Sequence, residues 1–305
     1  ACVAKTADRE EYLDFTLPFL SIDVVVIAKK ELQIKNFDEI KNYKVAVQKG
    51  NFVYENLIKK YPNIEIVSLG ENSILMPGLI NSHIHLEFSA NKTTLKYGSF
   101  YSWLNSVIRH REKLIEKAKT SLITQELKKL LKTGTTTIGA ISSYSFDLEA
   151  CLKSPINTIF FCEVIGSKAD MIDTLFTDFK ARLKDAQKHN SKRFKTGIAI
   201  HSPYSVHPFL VREVLNIAKE QNLPVTSHFL ESKDEKDWLN KDEGSFLDFF
   251  KNFLNQEKAT TKPLEFLNLL QSGYTGIILG HKFNSGKIGF SVLLGFITYI
   301  VTQLL

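Results

Sequence analysis

Residues Ile74–Phe88 read ILMPGLINSHIHLEF. Pro77 and Gly78 punctuate the chain within a strand-like run, Ile74–His85. Side chains two apart on a strand share a face, so His83 and His85 point the same way. Imidazole is the commonest metal ligand near neutral pH. Two of them on one face can hold a zinc ion, which takes histidine nitrogen at about 2.0–2.1 Å and, in catalytic sites, keeps a position open for water. An HxH tripeptide also arises by chance, so the neighbouring sequence decides its meaning.

Strand-like runs recur at Ile74–His85, Thr135–Ala140, Asn157–Val164, Thr196–His201, Pro224–His228 and Gly276–His281. Helical patterns lie between them at Phe100–Leu131, Met171–His189, Pro208–Gln221, Phe246–Leu254 and Pro263–Leu270. Alternating β and α predicts a parallel sheet with crossover helices; a barrel and a doubly wound sheet both fit. No GxGxxG follows a strand and no GxxxxGK[ST] occurs, which argues against a nucleotide cofactor. Five of the eight histidines, His83, His85, His201, His228 and His281, fall at the C-terminal ends of these strands. In (β/α) barrels that rim carries the chemistry. A lone histidine there is more often a satisfied rim residue; five on successive units would converge on one mouth.

The motifs resemble those of the metal-dependent amidohydrolase superfamily. Its first barrel strand carries PG, two hydrophobic residues, Asn or Asp, and then HxH, as Pro77–His85 does. HSPYSVHP (His201–Pro208), SHFLES (Ser227–Ser232) and ILGH (Ile278–His281) are similar to later strand motifs of its adenine-nucleoside-deaminating branch. HLEFSANKTTLKYGSFYSWLNSVI (His85–Ile108) and FFCEVIG (Phe160–Gly166) are similar to the subgroup acting on aminodeoxyfutalosine, in an alternative menaquinone route. The resemblance implies an α/β fold, an incomplete TIM-like (β/α) barrel of the metallo-dependent hydrolase type. It implies His83, His85 and His228 as ligands of Zn2+ or another divalent transition metal, and Glu231 as proton shuttle. His281 would hold and polarise the attacking hydroxide. His201, Glu163 and Trp103 would contact a small nucleoside substrate. The chemistry suits these residue types: a metal lowers the pKa of bound water from 15.7 toward about 7, and a carboxylate moving protons contributes about 10²–10⁴ in rate. The plainer readings are a solvated loop acid for Glu231, beside Lys233, and a helix start for His207, ahead of Pro208. His110 and His189 lie on charged helices and take no role.

The match stops at His281, before the eighth-strand Asp that completes the family's metal site. Six strands would leave sheet edges open, which is costly. Residues 1–70 resemble instead a fragment of the type II periplasmic solute-binding fold, through Lys5–Leu20, Val24–Lys30 and Asn36–Val67. The expected organisation is therefore 1–70 solute-binding-like, 71–281 truncated barrel and 282–305 apolar tail. The tail, Ile288–Leu305, reads as a membrane contact or as a core element, and Gly286–Leu294 as a replacement strand. A fusion or truncation is expected, with an inactive fragment or a membrane-tethered sensor remnant as the alternative to an enzyme. Net charge is +6, spread over lysine-rich helices such as Lys113–Lys132; without clustered Arg and interleaved aromatics it predicts no nucleic-acid partner. Cys2, Cys151 and Cys162 form no CxxC pair and read as reduced thiols. A cytoplasmic location is expected, with inner-membrane association as the alternative; the oligomeric state is left open.

Overall fold

The computed structural model describes Ala28 and residues 32–48, 52–69, 77–96, 98–271 and 277–280. Two compact units meet in sequence between Pro77 and Gly78.

In the first unit, β1 (Val45–Gln48) and β2 (Ile66–Leu69) pair in parallel, with Val45 opposite Ile66, and α1 (Phe52–Lys60) connects them. These elements form a βαβ unit. A 3₁₀ turn, Phe37–Asn42, precedes it, and the Asn36 side chain caps that turn by accepting from the Asp38 N–H at 3.1 Å. Ile40 and Leu57 are its buried apolar residues among those described. Ala28, the one described residue ahead of this turn before residue 32, is exposed and not in a strand.

The second unit is a parallel six-stranded sheet in the order β3-β4-β5-β6-β7-β8. The strands are β3 (Leu79–Ile84), β4 (Thr135–Ser142), β5 (Asn157–Val164), β6 (Phe194–Ile200), β7 (Val225–His228) and β8 (Ile277–Gly280). Strand order equals chain order, as repeated βα units require when each adds to the same edge. This is the partial TIM-like barrel that the motifs imply. The central strands are nearly continuous apolar runs because both faces are covered. Even-numbered residues such as Ile138, Phe160, Cys162 and Ile198 join the large core beneath the helices. Odd-numbered Ile141, Phe161 and Ala199 form a smaller cluster, which strand alternation places on the opposite face. Glycine is required at position 139: a Cβ there would collide with the Ser82 carbonyl of the neighbouring strand.

The covering helices are α2 (Phe100–Lys117), α3 (Thr120–Lys132), α4 (Leu148–Lys153), α5 (Ile172–Gln187), α6 (Pro208–Glu220), α7 (Lys233–Lys241), α8 (Ser245–Leu254) and α9 (Pro263–Gln271). The single helix expected over Phe100–Leu131 is two. Leu114 and Ala118 are buried in or beside the first, and Ile123 and Leu127 in the second. The step of five from 118 to 123 breaks the 3.6-residue period, and an extended Lys119 (φ −63°, ψ 156°) absorbs the slip. Short α4 and polar α7 escaped the sequence reading because neither carries a full apolar stripe. His207 caps α6, its Nδ1 accepting from the Phe209 N–H at 3.2 Å ahead of Pro208, so it is the helix-start residue it reads as. Among the described residues no helix is long and apolar enough to cross a membrane. The tail readings at Gly286–Leu294 and Ile288–Leu305 lie outside the described residues.

Candidate active site

Four barrel strands, β3, β5, β6 and β7, deliver functional side chains near their C-terminal ends. His83 is the penultimate residue of β3, and His85 follows that strand. Glu163 is the penultimate residue of β5, His201 follows β6, and His228 ends β7. Parallel strands in register bring these ends together. His83 Nε2 and His85 Nε2 are 3.1 Å apart. The His228 ring stacks on His85 at 5.4 Å between centroids and meets His83 edge-on at 4.6 Å. Ligand nitrogens of His83, His85 and His228 all lie within 4.8 Å of one another. Nitrogens bound tetrahedrally to one zinc at about 2.0–2.1 Å sit about 3.3 Å apart, so this donor set fits a zinc-sized ion. A second set, Glu163, His201 and His228, is equally close; His228 belongs to both.

Around these donors the loops are held by buried polar contacts. The His201 ring sits 5.1 Å from His228, and its Nδ1 is 2.6 Å from Ser205 Oγ. That hydroxyl also reaches the Ser202 carbonyl at 3.2 Å. With its proton on the carbonyl, it accepts from Nδ1–H, leaving Nε2 as the lone-pair nitrogen. Burial, with His228, His85 and His83 nearby, lowers the His201 pKa well below its usual value and keeps it neutral.

Glu231 Oε1 is 3.0 Å from His228 Nδ1. Burial disfavours the His228 cation, yet the Glu231 carboxylate, supported by Glu163 and Glu235, outweighs it and raises the pKa. The loop between them turns through Leu230 at φ 50°. Glu235 fixes that turn, accepting from the N–H of Leu230 at 3.1 Å and of Glu231 at 2.7 Å. Glu235 is fully buried, and its pKa is pushed up to about 7, chiefly by burial. Sequence reasoning missed it, although Ser232-Lys233-Asp234-Glu235 is a capping-box pattern, and Ser232 does cap α7 through the Glu235 N–H.

Glu87 was missed as well. Its carboxylate accepts from the backbone N–H of Ser143 at 2.8 Å, of Tyr144 at 2.9 Å and of Phe146 at 3.3 Å, clamping the loop after β4. Ser142 Oγ lies 3.3 Å from Glu87 and 2.6 Å from Asp147 Oδ1, and accepts from the Ser145 N–H. Burial, then the charge of Glu87, pushes Asp147 up to about 8. A protonated Asp147 donates to Ser142, freeing the serine proton for Glu87. No sequence motif marks this cluster; it exists because β3 and β4 are neighbours.

Glu163 is 2 % exposed. Its Oε2 accepts from Ser143 Oγ at 2.5 Å, its carbonyl accepts from Arg182 at 2.9 Å, and burial pushes its pKa to about 7. Trp103 lies half-buried on α2, where its described ring contact is Phe100 at 5.3 Å. The structure thus brings together His83, His85, His201, His228, Glu163 and Glu231; Trp103 packs on Phe100, and His281 lies outside the described residues.

The amidohydrolase family model matches residues 74–261, which leaves the N-terminal block outside the match. An aminodeoxyfutalosine deaminase of a Nitratiruptor species is 50 % identical over 221 residues, 72 % of this chain and 54 % of the relative. A Helicobacter pylori adenosine deaminase is 34 % identical over 203 residues, 67 % of this chain and 49 % of the relative. A crystal structure of Helicobacter pylori aminofutalosine deaminase in complex with methylthio-coformycin superposes with a TM-score of 0.66 at 30 % identity, covering 73 % of this chain and 55 % of that one. The chain spans about half the length of the curated relatives it matches. Motif order, strand order, the matched span and the relatives agree: the chain belongs to the amidohydrolase family.

Proposed function

We propose that the site carries out zinc-dependent hydrolytic deamination of an adenine-type nucleoside, aminodeoxyfutalosine or a close relative, on a route to menaquinone. The observation that carries this reading is the convergence of three imidazoles from β3 and β7 with a carboxylate, Glu231, 3.0 Å from one of them. The named activities of the relatives support it.

His83, His85 and His228 would hold the metal. When bound, zinc supplies Lewis-acid activation of water near neutral pH. The remaining steps belong to the protein. Glu231 stands on a loop pinned by Glu235, so its carboxylate can leave His228 for a water proton without the backbone moving. It then delivers that proton to the purine ring nitrogen, takes the second proton from the added hydroxyl and passes it to the departing ammonia. Neutral His201, with Nδ1 tied to Ser205, offers a single acceptor nitrogen to the substrate. Glu163 contacts the nucleoside, Trp103 would add an apolar contact, and His281 keeps the water-orienting role its motif implies. A cytoplasmic setting suits such a substrate and the buried free thiols of Cys151 and Cys162.

Elemental analysis and ammonia release from adenine nucleosides test this together. The full chain is expected to carry about one zinc, and Glu231→Gln to keep the zinc while losing about 10²–10⁴ in kcat, the usual share of general acid–base catalysis. His228→Ala should lose the metal. Equal ammonia release by the parent and Glu231→Gln would defeat the proposal.

A further inference from the structure

The rim carries one polar atom whose role the proposed reaction does not define. Glu163 Oε1 is buried and has no hydrogen-bond partner, although its sister oxygen is firmly held by Ser143. Such an orphan acceptor is costly, and the cost is removed when a donor arrives. The carboxyl lies beside His201 and His228, so the donor comes from whatever binds there.

Why the oxygen points inward follows from the loop after β4. Glu87 holds the Ser143 and Tyr144 N–H groups, which fixes the Ser143 backbone. The Ser143 hydroxyl then fixes Glu163 Oε2, and Arg182 fixes the backbone of Glu163 from the helix side. With one oxygen anchored and the main chain anchored, the carboxyl plane is set and Oε1 is left facing the cluster. An adenine nucleoside has few donors to meet it. The ring nitrogens are acceptors, and the exocyclic amine belongs to the reaction centre at His83, His85 and Glu231. The sugar hydroxyls remain.

We propose that Glu163 Oε1 accepts a hydrogen bond from a ring hydroxyl of the nucleoside's sugar, and that Ser143 is the positioning residue that turns it there. This rests on the nucleoside reading above.

Calorimetric titration of the full chain with purine riboside and its 2′-deoxy and 3′-deoxy counterparts tests it, because these probes lack the departing amine and are not turned over. The parent should bind the riboside about 10- to 100-fold more tightly than at least one deoxy probe, the range of a hydrogen bond to a charged group. Glu163→Ala should bring that ratio to about one. Ser143→Ala should shrink it and Ser143→Thr restore it, which a general loosening of the loop would not do. A parent that binds all three equally overturns the inference and leaves the deamination reading standing, as would be the case if Oε1 met water. A ratio that survives Glu163→Ala overturns it too. A full ratio effect without ammonia release from adenosine overturns the deamination reading alone; no binding of any probe overturns both.

Discussion

The first unit's ion pairs and the second unit's rim use carboxylates in opposite ways. In the first, Asp38 pairs with Lys60 at 2.8 Å and Glu65 pairs with Lys44, every side chain being 58–66 % exposed. In the second, Glu87, Glu163, Glu235 and Asp147 are at most 2 % exposed. Their partners are mostly backbone N–H and serine hydroxyls rather than cations. Exposed pairs gain little, since water and salt screen them and two long side chains must be ordered. A buried acid costs a great deal unless its lone pairs are met. The rim accepts that cost because amide donors fix a carboxylate's direction, whereas a mobile lysine does not. Stability there is exchanged for orientation of the loops that carry the histidines.

The strongest way to break this contrast is Glu87→Ala. Backbone N–H groups of half-buried Ser143 and Tyr144 and of exposed Phe146 would lose their acceptor; at about 1–3 kcal/mol for each unmet donor that water cannot reach, a loss of about 3 kcal/mol is expected in denaturant unfolding. A cost no larger than that of removing an exposed lysine would break the comparison. Gly139→Ala follows, at about 1–3 kcal/mol for forced overpacking, because the added methyl meets a backbone carbonyl that cannot turn aside. Its signature would be a lower unfolding midpoint with β3 and β4 the first strands to exchange amide protons.

The strands and the histidines were legible because periodicity and motif both act locally. Asn157–Val164 was read to its ends, and Pro224–His228 to within one residue. HxH needed only the two-residue repeat of a strand. What was not legible depends on strand adjacency. Glu87 and Ser143 lie 56 positions apart and meet only because β3 lies beside β4; neither looks unusual in its own segment. Glu235 was the avoidable miss, since its capping-box spacing was present.

A smaller effect sharpens the comparison through pH. Asp147 titrates at about 8 in the fold against about 3.9 in an unfolded chain. The groups that face it are Glu87, Ser142 and the Cys151 thiol. Because the folded value is raised, the neutral acid is the favoured native form. Its contribution is complete below about pH 4 and is lost as pH rises through about 8. Asp147→Asn keeps the shape and removes the proton. Its stability should therefore fall less than the parent's between pH 5 and 8 in thermal scans. Parallel curves would mean that Asp147 stays ionised.

The least effect is expected where an ion pair looks best on paper. Lys60 donates to Asp38 and holds its carboxyl below the usual range. A lowered folded pKa makes the contribution present at neutral pH and lost as pH falls through that value. Lys60→Ala should thus shift the unfolding midpoint at pH 7 by no more than the scatter of the measurement, and not at all in acid or in molar salt, where screening removes exposed pairs. A clear, salt-insensitive loss would mean that Lys60 acts through its apolar stem against Phe37, 5.8 Å from its ammonium. The first unit would then be packing-limited rather than charge-indifferent, and the contrast with the rim would rest on burial alone.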